Sequence, residues 1–400
     1  MSQTTVAELR RRFDETTAPE LARAVTAHDP TKLKPPRDVS SRFSYFATEK
    51  ELIVAAGQQE EEDVDRALAY GLSLLKRWDF HALTLVVPQR YVRPTQLRLA
   101  WVDVPVTLIE YDGRRCRHAP PASIEEAIDA AQDPYPARDC YDLGLRQQFV
   151  RELIEWADRD ERLSRDDRTG YAAWYHAGAL ILKIQKTGSR LRVTAGVNFS
   201  KPKLAQVPAL EQIVEARLEQ TALRNIQAAV ERAIATYAGR PEARFQSFLY
   251  KNPQLVEAHA AGMQREVPVI RPRGRGFVDF VAKDASGEIR LIETKVGPDP
   301  MVVLQAVDYW AWGCAVRPAL ARKLGLESEA PLAIDIVAAA NKKARTLDDH
   351  ALPIAEALKP AVRLRIFEVH GWDASDAEAR VTASRRTLRA AADPRSSRRH

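Results

Sequence analysis

Three charged side chains in one short stretch have the types and spacing for metal-assisted hydrolysis. The stretch, Arg271 to Trp312, reads RPRGRGFVDFVAKDASGEIRLIETKVGPDPMVVLQAVDYWAW. Asp279 sits in the middle of an apolar run, Phe277 to Lys283, that predicts a strand. Asp284-Ala-Ser-Gly287 supplies turn chemistry, and a second strand from Ile289 to Val296 carries Glu293 and Lys295. Residues two apart on a strand point to the same side, so Glu293 and Lys295 project together while Thr294 points away. A hairpin partner brings Asp279 beside them. Two carboxylates that close repel each other unless a divalent cation lies between them, and oxygen ligands with few His or Cys nearby suit Mg²⁺ or Mn²⁺. The ammonium of Lys295 then orients or helps deprotonate an attacking water, or neutralises charge on a phosphorane-like transition state.

The elements that must position these groups are legible on either side. Asp299 suits an N-cap and Pro300 the first helical position, so a helix is expected to begin there, with Gln305 and Tyr309 on one face. Asp279, then Glu293-Thr294-Lys295, then Gln305-xxx-Tyr309 resembles the PD-(D/E)xK nuclease superfamily in its QxxxY variant. The resemblance implies an α/β, restriction-endonuclease-like fold, a mixed sheet flanked by helices. It also implies a metal-dependent nuclease, an endonuclease acting on DNA. Asp279, Glu293 and the Thr294 backbone carbonyl would hold Mg²⁺ or Mn²⁺. Gln305 would bond near the lysine, and Tyr309 would meet a phosphate or the metal-site carboxylates. The bland alternative is a solvated ion pair between Glu293 and Lys295. Against it, Glu293 follows the apolar pair Leu291-Ile292, where a buried charge without a partner is costly.

Upstream, PEARFQSFLYKNPQLV predicts a short helix opened by Pro241 and stopped by Asn252-Pro253. It resembles the opening helix of the Shedu-type defence nucleases and the archaeal NucS-like nucleases. That resemblance spans Pro241 to about Gly371. It implies a setting in prokaryotic defence or DNA repair, and it makes Glu242 a further metal ligand. The competing reading of Glu242 is an acid favoured by the helix dipole. Arg271, Arg273 and Arg275 alternate just ahead of Asp279, which puts three guanidiniums on one side of an extended segment, suited to phosphate contacts.

A weaker version of the same pattern lies near the N-terminus. FSYFATEKELIVAAG follows the outline of the Asp279–Glu293 hairpin with a shorter turn. Leu52-Ile53 matches Leu291-Ile292 and Arg66-Ala-Leu-Ala-Tyr70 matches Gln305-Ala-Val-Asp-Tyr309 at one shared offset. The strands HALTLVVP and VTLIEYDG then parallel LAIDIVAA and LRIFEVHG. An internal repeat is the economical explanation. The chemistry is missing from this first copy: Tyr45 stands for Asp279, Val54 for Glu293, Ala56 for Lys295 and Arg66 for Gln305.

The chain therefore divides into an N-terminal helical arm and linker (1–40), a degenerate nuclease-like domain (41–114), a helical region with a β-hairpin and a long connecting helix (115–238), the nuclease domain (239–371) and a basic, disordered tail (372–400). Within the middle region, 158–168 reads as a charged loop. The formal net charge is +6, but six Arg against one Asp in Arg385–His400 supply most of it. Basic composition alone therefore does not argue for nucleic acid. Three distant cysteines fit neither a disulfide framework nor a zinc site. The absence of a signal-like core or an apolar run of spanning length points to a cytoplasmic protein without membrane contact. No P-loop, HExxH or GxSxG occurs, so no nucleotide cofactor is evident. DNA is the expected partner, with homo-oligomers open. The alternative is a non-catalytic nucleic-acid- or protein-binding module that keeps the nuclease fold.

Overall fold

The computed structural model describes residues 13–26, 28–57, 63–132, 148–168, 171–176, 179–187, 190–196, 210–211, 216–236, 241–260, 263–272, 274–340, 347–373 and 381–386. The chain is mixed α/β, with three sheets flanked by helices. It separates into two compact units: one made of 1–134, 266–370 and 382–400, the other of 135–265 and 371–381.

The first unit begins with helix α1 (Ala18–Val25), followed by strands β1 (Thr31–Leu33), β2 (Ser44–Ala47) and β3 (Glu51–Ala55). Helix α2 (Asp63–Arg77), β4 (Ala82–Pro88), α3 (Val92–Leu99), β5 (Val106–Tyr111), β6 (Cys116–His118) and α4 (Ile124–Ala130) follow. The strands lie in the order β1-β2-β3-β4-β5-β6. The β2/β3 hairpin is antiparallel, β3/β4 and β4/β5 are parallel, and β6 returns antiparallel. β1 occupies residues read from the sequence as linker. Its pairing with β2 satisfies backbone groups that would otherwise line a bare edge. One face of this sheet packs on α1 through Leu21, Phe46, Ile53 and Val86. The other carries Val54, which lies close to Gly71 of α2.

The second unit holds α5 (Gln148–Arg159), β7 (Ser164–Arg168), β8 (Tyr171–His176), β9 (Ala179–Thr187), β10 (Arg190–Ala195), β11 (Leu210–Glu211), α6 (Ala216–Thr236) and α7 (Pro241–Lys251). Its strands form an antiparallel sheet, β11-β10-β9-β8-β7, so a sheet with helices stands where the sequence suggested helices and one hairpin. The charged segment 158–168 is not all loop, since Ser164–Arg168 pairs with Tyr171–Tyr175 as an edge strand. Trp174 and Tyr175 are buried in β8. Leu153, Ile184, Ile226 and Val230 close the core with Trp174. α7, which the sequence grouped with the nuclease segment, belongs to this unit.

The remaining elements are β12 (Gln264–Arg271), β13 (Gly274–Lys283), β14 (Ile289–Lys295), α8 (Val302–Lys323), β15 (Leu332–Ala340), α9 (Ala351–Glu356), β16 (Leu364–His370) and β17 (Thr382–Arg386). Their order is β12-β13-β14-β15-β16-β17. As in the first sheet, the central hairpin is antiparallel, the next two pairings are parallel and the last is antiparallel. β17 corrects the reading of 372–400 as a disordered tail: Thr382–Arg386 covers the edge of β16. Residues 387–400 lie outside the described residues. α8 begins at Val302, slightly later than the sequence suggested. Asp299 instead caps the preceding turn, accepting from Met301 N at 2.9 Å. The helix lies close on its sheet; a Cβ on Gly313 would meet Leu291 at 2.6 Å.

The two sheets match in register as well as order. Phe46 pairs with Ile53 and Phe280 with Ile292, which sets Tyr45 in the place of Asp279 and Val54 in that of Glu293. Ile53 aligns with Thr84 as Ile292 does with Asp335. Even a polar pair recurs: Thr84 donates to Glu51, and at the same register Arg290 Nε donates to Asp335 at 2.6 Å. Asp335 is fully buried and also takes Arg365 Nε at 2.8 Å, which compensates a charge too costly to bury alone.

The halves of the first unit meet reciprocally, α2 on α9 and α3 on α8. At their centre Val102 bridges Leu358, with Asp103 N donating to Ala357 O and Lys359 N to Trp101 O, each at 2.8 Å. Such an exchange is what an isologous, two-fold contact produces. Arg98 locks it: its Nε and Nη2 reach the two Asp308 oxygens at 2.9 and 2.7 Å, and Nη1 pairs with Asp65.

Candidate active site

The site forms where the β13/β14 ladder ends. Glu293 and Lys295 share the face turned toward α8, with Lys295 Nζ at 2.9 Å from Glu293 Oε1. Glu293 is 4% exposed. Its carboxylate is therefore held in a low-dielectric place by a positioned cation, rather than solvated as the bland reading supposed. Lys295 has a second acidic neighbour, Asp299 Oδ2, at 3.4 Å. Since Asp299 Oδ1 holds Met301 N, one side chain ties the lysine to the turn that launches α8.

Asp279 faces the same strand but is anchored differently. Its Oδ2 accepts from Thr294 N at 2.7 Å and from Thr294 Oγ1 at 2.5 Å. The side chain thus takes over the amide where the backbone ladder stops. The amide and carbonyl of one strand residue point the same way, so the Thr294 carbonyl is directed toward the Asp279 side. The register that pairs Phe280 with Ile292 sets Asp279 opposite Glu293, where side chains start about 5 Å apart at Cβ.

α8 supplies the remaining groups. Tyr309 OH donates to Phe277 O at 2.9 Å, pinning the helix to β13 two residues before Asp279. Burial raises the Tyr309 pKa, and the charges of Glu293 and Asp279 add to it against the opposing pull of Arg271. The phenol therefore stays protonated and works as a strut. Gln305, half-buried one turn earlier, has an Oε1 that finds no hydrogen-bond partner among the described residues.

Of the three arginines, Arg271 ends β12 and Arg275 lies in β13, which starts at Gly274. Arg271 folds over Gly276, where any Cβ would collide with its guanidinium, and it acts electrostatically on Tyr309. Arg273 lies outside the described residues, and only the backbone of Arg275 falls within them. Glu242 is exposed in the first turn of α7 in the other unit.

The donors present fit a hard divalent cation. They are two carboxylates and a backbone carbonyl, with no thiolate or imidazole among them. A Mg²⁺ ion that keeps several waters needs only one or two carboxylates. Among the described residues no cluster of three or more His, Cys, Asp or Glu is placed to hold a metal. Burial pushes the Cys314 thiol up to about 11 and raises that of Cys116, so neither is an activated nucleophile.

Sequence reasoning missed two supports, the lysine contact of Asp299 and the Thr294 anchor of Asp279. The Asp299 contact had a signal, its placement four residues after Lys295 between two prolines. The Thr294 anchor had none, because it depends on where the ladder stops.

The corresponding position of the first sheet is apolar. Tyr45 and Val54 are buried there, and Tyr45 OH donates to Ser40 O at 3.0 Å. Tyr70 keeps the helix position of Tyr309 but meets the His350 ring edge-on, with centroids 4.9 Å apart. No helix of the described residues is long and apolar enough to cross a membrane. No family model and no curated protein matches the chain. Among solved structures it is similar to Pyrococcus furiosus SfsA in complex with Ca²⁺, at 13% identity over 56% of this chain and 89% of that one, with a TM-score of 0.19.

Proposed function

We propose that this protein is a metal-dependent nuclease, an endonuclease hydrolysing phosphodiester bonds in DNA, with Asp279, Glu293 and Lys295 at its centre. One observation carries the reading. Two sheets of the same order and register differ where chemistry would occur, with Asp, Glu and Lys in one and Tyr, Val and Ala in the other. The fold tolerates apolar side chains at these places, so the charges answer a demand other than folding.

In this reading Asp279, Glu293 and the Thr294 carbonyl hold Mg²⁺ or Mn²⁺, which when bound polarises the phosphoryl oxygen and acidifies water. Lys295, gripped between Glu293 and Asp299, presents a positive charge at a fixed point for the developing negative charge. Arg271 serves the phosphate backbone. Tyr309 keeps α8 against β13 and moves no proton. Gln305 offers its amide to orient water or phosphate. A defence or repair setting agrees with such chemistry.

The second reading, a binding module without catalysis, draws on the small number of acids at the site. One experiment separates the two: purified protein with plasmid, linear and single-stranded DNA and with RNA, in Mg²⁺, Mn²⁺ or EDTA. Metal-dependent DNA cleavage that Glu293→Ala removes is the expected result. Retarded DNA without any cleavage would establish the module instead.

A further inference from the structure

The second unit carries a site of its own. Between the start of β7, the end of β8 and one flank of α7 opens a cleft of about 490 Å³, within the range of small-molecule sites. Three exposed cations, Arg162, Arg244 and Lys251, line it against one acid, Glu161. Arg162 is committed to Asp160 and Glu231, each at 2.6 Å. Lys251 Nζ bonds the Glu161 carbonyl at 2.7 Å, an uncharged partner that leaves the ammonium charge uncancelled. Arg244 has its guanidinium carbon 5.9 Å from the Trp372 ring centre.

Beneath the floor lies a further cation. Arg265 is 4% exposed and reaches Ser164 Oγ at 3.2 Å and Ser247 Oγ at 3.5 Å, and both serines line the cleft. Its guanidinium sits 5.2 Å from the ring centres of both Tyr175 and Tyr250. Ring faces suit a guanidinium, so Tyr175 and Tyr250 help to hold this one beneath the two serines. Tyr175 and Phe248 add ring surface to the wall. Positive charge beside aromatic surface, in a space far larger than one phosphate, is the chemistry of a phosphorylated nucleoside.

We propose that this cleft binds a nucleoside phosphate, as a free nucleotide or as the phosphorylated end of a nucleic-acid strand. The phosphate lies toward Arg244 and Lys251, and the base lies against the Tyr175 and Phe248 wall. The proposal does not depend on the nuclease reading, because every residue it uses belongs to the other unit.

The test is calorimetric titration of the full chain in EDTA with ATP, adenosine, inorganic phosphate and a 5′-phosphorylated oligonucleotide. ATP or the oligonucleotide should bind at least tenfold more tightly than adenosine or phosphate. The double change Arg244→Glu with Lys251→Glu should weaken that binding at least tenfold. Arg244→Gln with Lys251→Gln should do so by a smaller factor, and this milder pair covers the case where charge reversal disturbs folding, monitored by thermal melting. ATP binding assigns the site to free nucleotides. Variant-sensitive binding of the oligonucleotide alone assigns it to strand ends. Affinities for ATP and oligonucleotide no better than for adenosine or phosphate, or unmoved by both variant pairs, would overturn the proposal.

Discussion

The first and second sheets of the larger unit are one architecture used twice, and they differ most where the second is charged. Strand order, strand direction and hairpin register coincide, down to the polar pair that links Glu51 to Thr84 in one sheet and Arg290 to Asp335 in the other. Yet Val54 is wholly buried among apolar neighbours, while its counterpart Glu293 is a nearly buried carboxylate held by a lysine. Burying a charge costs stability, and even a good partner seldom repays that in full. The first sheet shows the cheaper solution. The second accepts that cost at Glu293, the position that Val54 fills in the first.

The largest effect that would break this comparison is loss of cleavage. Glu293→Ala and Asp279→Ala should each abolish metal-dependent plasmid cutting, and full activity in the Glu293 variant would end the nuclease assignment. The two should differ in stability. Asp279 accepts two hydrogen bonds from Thr294, so its removal should cost about 1–3 kcal/mol in denaturant unfolding. The simpler expectation that deleting either carboxylate relieves repulsion therefore does not apply to Asp279.

Next in size is Lys295→Ala. It should lower turnover by roughly two to four orders of magnitude while leaving the fold in place, as expected for a positioned electrostatic group. Single-turnover kinetics at saturating metal would check this, and a loss smaller than about tenfold would argue that the lysine only neutralises Glu293.

The bond between the halves comes third. Arg98 bridges Asp308 in one half and Asp65 in the other with almost no solvent exposure. Arg98→Ala should destabilise the unit by about 3–5 kcal/mol, the range for stranding buried charges. An unchanged unfolding midpoint would mean that the halves do not depend on this contact.

A fourth change carries the charge into the inert sheet. Val54→Glu should cost about 3 kcal/mol or more, since Ala56 offers the new carboxylate no lysine. Adding Ala56→Lys should recover part of that loss in a double-mutant cycle without creating cleavage in a Glu293→Ala background. Full tolerance of Val54→Glu alone would show that the two sheets differ more in their surroundings than their register suggests.

The smallest effect concerns Asp299. Removing it frees Lys295 from the turn that starts α8, while the Glu293 contact remains. Asp299→Ala should reduce turnover about tenfold through misplacement, with little change in substrate affinity. A tighter or unaltered rate would leave Asp299 as a helix cap alone.

What the sequence by itself determined were the local elements and their punctuation. The β13 and β14 runs, the turn at Asp284–Gly287, the break before α8 and the Gln305/Tyr309 face are all carried by period and turn chemistry within a few residues. The repeat was legible too, because its matches keep one offset across a strand and a helix. Tertiary structure alone decided the long-range pairings. That Asp279 answers the Thr294 amide depends on where a ladder ends. The Arg98–Asp308 and Arg265–Ser164 contacts join residues far apart in the chain, and no local pattern encodes them. For the same reason the sheet of the second unit was hidden. Its edge strand Ser164–Arg168 is polar and charged, without the apolar alternation that marks a strand, and only pairing with β8 makes it one.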